Sequence, residues 1–197
     1  FTDRRQRQMC IRDRVNSLFI GIIATAIATA LGTMAALGLS RPHMPYKALI
    51  MSILISPMIV PLIITAAGMF FFYARINLVY TFTGVILAHV ALATPFVVIT
   101  VTATLVGFDM NMVKAAQSLG ARPIRTFFKV IMPLILPGII SGALFAFITS
   151  FDEVVIVMFM ASIDQLTIPK QMWAGIRQEI SPAVSYTHLT LPTIREV

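Results

Sequence analysis

The stretch NSLFIGIIATAIATALGTMAALGL, from Asn16 to Leu39, holds 24 residues without one charged side chain. A bilayer hydrocarbon core of about 30 Å requires roughly 20 consecutive apolar residues in a helix, so this run is long enough to cross a membrane. It also carries small residues at Gly21, Ala24, Ala26, Ala28, Ala30, Gly32 and Ala35. Such residues let membrane helices approach closely, but membrane composition alone would supply them too, and both readings stand at this point.

Working outward, three more apolar runs of spanning length occupy about residues 48–74, 78–108 and 138–162. Unpaired backbone groups are so costly in lipid that runs of this kind must be helical, whatever their Ile and Val content. Hydrophobic residues make up 58% of the chain and charged ones 12%, with a mean hydropathy of +0.89. A soluble domain carries about 25% charged residues, so water is not the solvent for most of this chain. The expected fold is an all-α integral membrane protein, a polytopic helix bundle. Pro57 and Pro61 in the second run and Pro95 in the third predict kinks. The single cysteine, Cys10, excludes a disulfide within the chain and any multi-cysteine metal site.

Orientation follows from the basic residues, which favour cytoplasmic connections. Arg41 and Lys47 mark the first connection, Arg75 the short second one, and Lys114, Arg122, Arg125 and Lys129 against Asp109 the segment 109–137. Alternation puts the first and third in the cytoplasm and the second outside. The N-terminal residues would then lie outside despite Arg4, Arg5, Arg7, Arg12 and Arg14. The stretches 8–14 and 184–194 resemble translated sequencing-adapter read-through, so residues 1–14 and 184–197 are expected to be non-native tails around a membrane domain of residues 15–183. Three units of the formal charge of +7 come from the first fourteen residues, which hold five bases and two acids. The remaining excess sits in cytoplasmic loops, and a nucleic-acid partner is not indicated.

From Met112 the chain reads MVKAAQSLGARPIRTFFKVIMPLILPG. Ala115, Ala116 and Leu119 share one helical face, Gly120 is suited to end the helix with a positive φ, and Pro123 suits the first turn of a following helix. Helix, break, helix is what these residues dictate. An amphipathic helix resting on lipid headgroups through Arg122, Arg125 and Lys129 would account for the charges but not for the spacing.

This segment resembles the cytoplasmic Glu-Ala-Ala loop of ABC importer permeases, in which a Gly follows the second Ala by four positions and a Pro lies thirteen beyond that Gly. Ala115, Ala116, Gly120 and Pro133 occupy those positions. Lys114 stands where the family usually has Glu, and Val130 and Met132 replace Ile and Leu. Further similarity to the spermidine/putrescine branch lies in Ser56 to Pro61, Leu87 to His89, Pro95 to Val98 and Ser150 to Glu153. The resemblance implies a type I importer permease, truncated here to four transmembrane helices, with one helix missing at each end. It implies a bacterial inner (plasma) membrane location and no enzymatic activity of its own. Lys114, Ala115, Ala116, Leu119, Gly120 and Pro133 would form the loop that couples to a cytoplasmic ATP-binding cassette subunit. A second, paralogous permease subunit and a periplasmic or extracellular solute-binding protein would complete the assembly, with polyamine or a similar small solute as cargo.

Within the fourth run, Asp152 and Glu153 lie about fourteen residues from its start, roughly 21 Å deep. Acids at such depth usually face a bundle interior or a water-filled path, so a cation-attracting lining is one reading; the other is that one or both reach the outer interface or cap a broken helix. His89 falls roughly 16 Å into the third run, where it serves either the pathway or a bond between helices. Beyond the fourth run, Asp164, Lys170, Arg177 and Glu179 with Trp173 suggest an amphipathic external loop. No phosphate-binding loop, His-Glu-x-x-His or Gly-x-Ser-x-Gly motif occurs, so no cofactor is expected and ATP hydrolysis belongs to a separate chain. An ion-coupled secondary transporter using Asp152, Glu153 and His89 is the alternative, but it leaves the 112–133 spacing unexplained. An intramembrane hydrolase ranks last because the two acids are adjacent on one helix.

Overall fold

A computed structural model describes residues 2–41, 44–107, 109–162 and 165–178. Expectations for Asp164, Glu179 and the 184–197 stretch lie outside the described residues. The described chain is helical throughout its regular structure. In order it forms α1 (Thr2–Leu39), α2 (Lys47–Ile59), α3 (Leu62–Arg75), α4 (Phe82–Val106), α5 (Met110–Ser118), α6 (Pro123–Thr126), a π-helical turn (Phe127–Ile131), α7 (Met132–Phe151), α8 (Val155–Met160) and α9 (Ile168–Gln178).

The core is a tight bundle of α1, α4 and α7. Ala24, Ala28, Gly32 and Ala36 recur every four residues on α1, which puts them on one face, and all four are buried. A Cβ on Gly32 would meet Val97 Cβ at 2.7 Å. Of the two readings of the small residues, the close-packing one is therefore correct for this stripe. α1 and α4 run parallel: Phe19 meets Phe82 edge-on at 6.1 Å at one end, and Gly32 meets Val97 farther along. α7 runs antiparallel to α4. Their seam descends from Ser150 opposite His89, through Phe145 stacked 6.5 Å from Phe96, to Gly142 against Val97 and Thr100 and Gly138 against Thr104. Gly138, Gly142, Ala146 and Ser150 form the buried stripe of α7. Dispersion between such closely apposed helices, rather than expulsion of water, stabilises a bundle in lipid.

Three expected boundaries change. The run 48–74 is not one kinked helix but two, α2 and α3, bent by 105°. A residue preceding proline is pushed out of the helical region, and Val60 is extended (φ −71°, ψ 134°), as is Pro61 itself (ψ 129°). Two consecutive extended residues redirect the chain, whereas Pro57 and Pro95 stay inside their helices. The third helix starts at Phe82 rather than 78. Thr81 caps it, its hydroxyl accepting from Gly84 N at 3.0 Å, and a side chain on Gly84 would collide with Leu78 O. The fourth span starts at Pro123, not Gly138, because α6, the π turn and α7 are continuous and apolar over Pro123–Phe151. In the π turn Met132 N donates to Phe127 O, five residues back. That widening accommodates Pro133, whose ring would otherwise clash with the carbonyl four residues earlier.

Among the described residues three helices are thus long and apolar enough to cross a membrane, or four with the bent pair counted as one span. α2 has no buried residue and α3 only Ala66, so Ile53, Ile59, Ile63 and Phe71 face away from the bundle.

Candidate functional site

Two sites lie at opposite ends of the 123–151 span. At its start, α5 is an almost wholly exposed nine-residue helix. The Asp109 carboxylate caps it, accepting from Asn111 N at 2.9 Å. It ends in paired reverse bonds: Gly120 N donates to Gln117 O at 2.9 Å and Ala121 N to Ala116 O at 3.1 Å. This Schellman arrangement requires a left-handed residue, and Gly120 supplies it with φ +80°. Pro123 then occupies the first turn of α6 after Arg122 in an extended conformation. Lys114 and Ala115 are exposed, Ala116 is half-buried, and Leu119 is 88% exposed. Met112 and Ile124 add exposed apolar surface nearby. Pro133 lies apart from this tip, at the second position of α7. A helix this short is marginal in water unless an apolar face packs on something, and the rest of the chain offers α5 almost no such contact.

At the other end, the elements meet through side-chain bonds to backbone. Asn16 Nδ2 donates to Leu166 O at 3.2 Å, and Ile168 N to Ser17 Oγ at 2.9 Å. Gln165 Nε2 donates to Tyr80 O at 2.9 Å while its Oε1 accepts from Ser162 N. Residues 16 and 17 of α1, the approach to α4, the residues after α8 and the entry to α9 are thereby tied together.

Asp152 and Glu153 follow the last residue of α7 instead of lying fourteen residues into a helix. They stand 29 and 30 residues beyond Pro123, at the far end of the continuous 123–151 helix. The adjacent acids diverge. Asp152 is exposed and caps α7 through its own N–H to Ile148 O at 3.0 Å. Glu153 is buried, and its Oε1 accepts from Ile156 N at 3.0 Å at the start of α8. Burial pushes the Glu153 carboxyl above its usual range; the Ile156 and Val155 amides oppose that shift and Asp152 adds to it. Lys170 Nζ donates to Val157 O at 3.3 Å, and burial holds its ammonium below the usual lysine value.

His89 is 1% exposed and lies seven residues into α4, with Nδ1 2.9 Å from Ser150 Oγ of α7. It is brought to Ser150 by the α4–α7 seam, two residues from Asp152 in sequence. The coupling-loop residues and the acids are not brought together. Gln165, Asn16 and Ser17 were not assigned a role by sequence reasoning, and Ser150 entered only as part of the Ser150 to Glu153 resemblance, without its partner His89. Among the described residues no cluster of three or more His, Cys, Asp or Glu side chains is arranged to hold a metal.

A family model described as the binding-protein-dependent transport system inner membrane component matches residues 28–194. The spermidine/putrescine transport system permease protein PotC of Haemophilus influenzae is 30% identical over 175 residues, covering 89% of this chain and 68% of that protein. Its namesake in Escherichia coli K12 is 28% identical over 170 residues, with coverage of 86% and 64%. The trehalose transport system permease protein SugB of Mycobacterium tuberculosis is 32% identical over 148 residues, with coverage of 75% and 54%. The chain thus spans about two thirds or less of the length of these relatives, all of which are transport permeases rather than enzymes. With a match over most of its length and a helical span pattern to suit, the chain belongs to the family of binding-protein-dependent transport system inner membrane components.

Proposed function

We propose that the chain works as a membrane-spanning permease subunit of an ATP-driven importer, coupled to a cytoplasmic ATP-binding cassette subunit through α5 and the Gly120 turn. The observation that carries this is the isolation of α5: capped at both ends, apolar at Leu119, and in want of a packing partner. Lys114 and Ala115 lie on the exposed surface of that helix, and Ala116 and Gly120 shape its end. Pro133 acts farther back, in the wide turn that joins the tip to the span. Coupling is mechanical, and no side chain acts as a catalyst.

The cargo we infer is a small cation of the polyamine class. Its support is the name of the PotC relatives together with the exposed Asp152 carboxylate at the far end of α7. Glu153 and His89 back that position from the protein side. A paralogous permease would complete the path, and a solute-binding protein would approach the end that carries α8 and α9.

The test of the coupling site is Leu119→Asp. Because Leu119 touches little of its own chain, the variant should fold and melt as the parent does, yet retain less than a tenth of the ATPase subunit on co-purification from the membrane. Undiminished co-purification would exclude α5 as the docking element. Uptake of labelled putrescine against labelled trehalose by the assembled importer distinguishes the two cargo classes.

A further inference from the structure

We propose that His89 is a positioning residue: its hydrogen bond to Ser150 fixes the last turn of α7 and thereby sets the direction of the chain through the Asp152–Val154 break. The inference concerns packing within this chain and stands whatever solute is carried.

The buried stripe of α7 is Gly138, Gly142, Ala146 and Ser150, one residue per turn, and Ser150 is its only side chain able to hydrogen-bond. It lies directly before the point where the helix stops. Opposite it, His89 is enclosed by α4 and its neighbours, with Val85, Ala88, Ala93 and Ile156 fully buried in the same core. The Nε2 atom of His89 has no hydrogen-bond partner, so Nδ1 to Ser150 at 2.9 Å is the ring's single polar anchor. A histidine is not needed to fill that space, and leaving one ring nitrogen unpaired in an apolar core is costly. The bond on the other nitrogen is the property that offsets this cost.

The elements beyond the break are anchored independently of α7. The start of α8 is capped by Glu153, its middle is held by Lys170 on Val157 O, and its end is fixed by Tyr80 N donating to Met160 O at 3.0 Å. Ile156, Val157 and Met160 are buried against α3 and α4. With α8 held from that side, the hydrogen bond between Ser150 and His89 is the polar tie on the α7 side of the break. Releasing it frees Asp152, Glu153 and Val154 to change direction, which moves the exposed carboxylate of Asp152.

The experiment uses the full chain purified in detergent micelles, where both ends are open to reagent, with Cys10→Ser as background and Val154→Cys as a half-buried reporter labelled by a hydrophilic maleimide. His89→Ala and Ser150→Ala should each raise the labelling rate about 3- to 20-fold, the range corresponding to measured hydrogen bonds between membrane helices. The double variant should label no faster than either single one, because both remove the same bond. Asparagine places its amide where Nδ1 lies, so His89→Asn should return the rate to within about twofold of the parent, while His89→Gln, which reaches toward Nε2, should not. A second reporter, Leu119→Cys at the opposite end, should label at the parent rate in every variant. The proposal is overturned by an unchanged rate in Ser150→Ala, by additive effects in the double variant, by equal behaviour of His89→Asn and His89→Gln, or by a parallel rise at Leu119→Cys, which would mean global loosening.

Discussion

Gly142→Ala tests the α4–α7 seam where a new Cβ would come nearest to the backbone of α4. A Cβ added at Gly142 would overlap Thr100 Oγ1 and approach Val97 Cα to 3.0 Å, where ordinary contact begins at 3.4 Å. The Thr100 hydroxyl can rotate, giving up acceptors at Phe96 O (3.0 Å) and Val97 O (3.1 Å). Val97 Cα is backbone and cannot rotate away. α4 must therefore retreat by at least about 0.4 Å, which loosens the neighbouring contacts of Gly138 with Thr104 and of Phe96 with Phe145. Overpacking of this kind costs about 1–3 kcal/mol. Alanine recovers about 1 kcal/mol of helix propensity, leaving a net loss of about 0–2 kcal/mol. Gly68→Ala is the matched control, since nothing lies within 4 Å of a Cβ there, and it should be neutral or stabilising by up to about 1 kcal/mol. Both are measured by SDS titration of the purified chain in mixed micelles, followed by circular dichroism and by the single tryptophan, Trp173. Equal midpoints for Gly142→Ala and Gly68→Ala would refute the claim that α4 and α7 are held at backbone contact.

Gly120→Ala forces an L side chain into φ +80° at a cost of roughly 1–2 kcal/mol, confined to the end of α5. Amide exchange at Ala121, whose N–H reaches Ala116 O, should accelerate while global melting stays put, and Gly120→Asn should lie between the two. Pro61→Ala restores an N–H for the Pro57 carbonyl and lets Val60 re-enter the helix, so spin labels at Leu49 and Phe71 should move apart as the 105° bend opens; unchanged distances would place the cause of the bend elsewhere. Burial lowers the Lys170 pKa from 10.5, so the folded chain gives up this proton more readily than the unfolded one. Stability should accordingly rise as pH climbs through the folded value toward 10.5, and Lys170→Met should flatten that rise in thermal melts.

Apolar runs and their helical state were legible because the demand for internal backbone pairing in lipid leaves no other option. The turn at Gly120 was legible too, since a left-handed cap needs glycine and Pro123 marks the next start. Helix ends were less so. Pro57, Pro61, Pro95, Pro133 and Pro137 are chemically identical, yet only at Pro61 does the chain turn, because only there do two successive residues take extended dihedrals. The acids show it too: because α7 stops at Phe151 rather than running on to 162, Asp152 and Glu153 lie just past a helix end and not within one. The pairing of His89 with Ser150 spans 61 residues and depends on the α4–α7 register, which no local pattern encodes.

The glycine notches on α7 carry one more consequence. Gly138 and Gly142 sit against Thr104 and Thr100 in fixed register, so α7 cannot glide along α4 by small increments without driving a bulkier residue into each notch. The next compatible register lies about one helical turn away, a step of about 5.4 Å. α1, α4 and α7 therefore travel as one rigid body, and compliance is left to the jointed pieces around them, the α2–α3 elbow and the α7–α8 break. Under the coupling proposed above, a push at α5 would first have to pass the Gly120 turn; once in α6 it would travel along the continuous 123–151 helix and become a change of shape only at those joints.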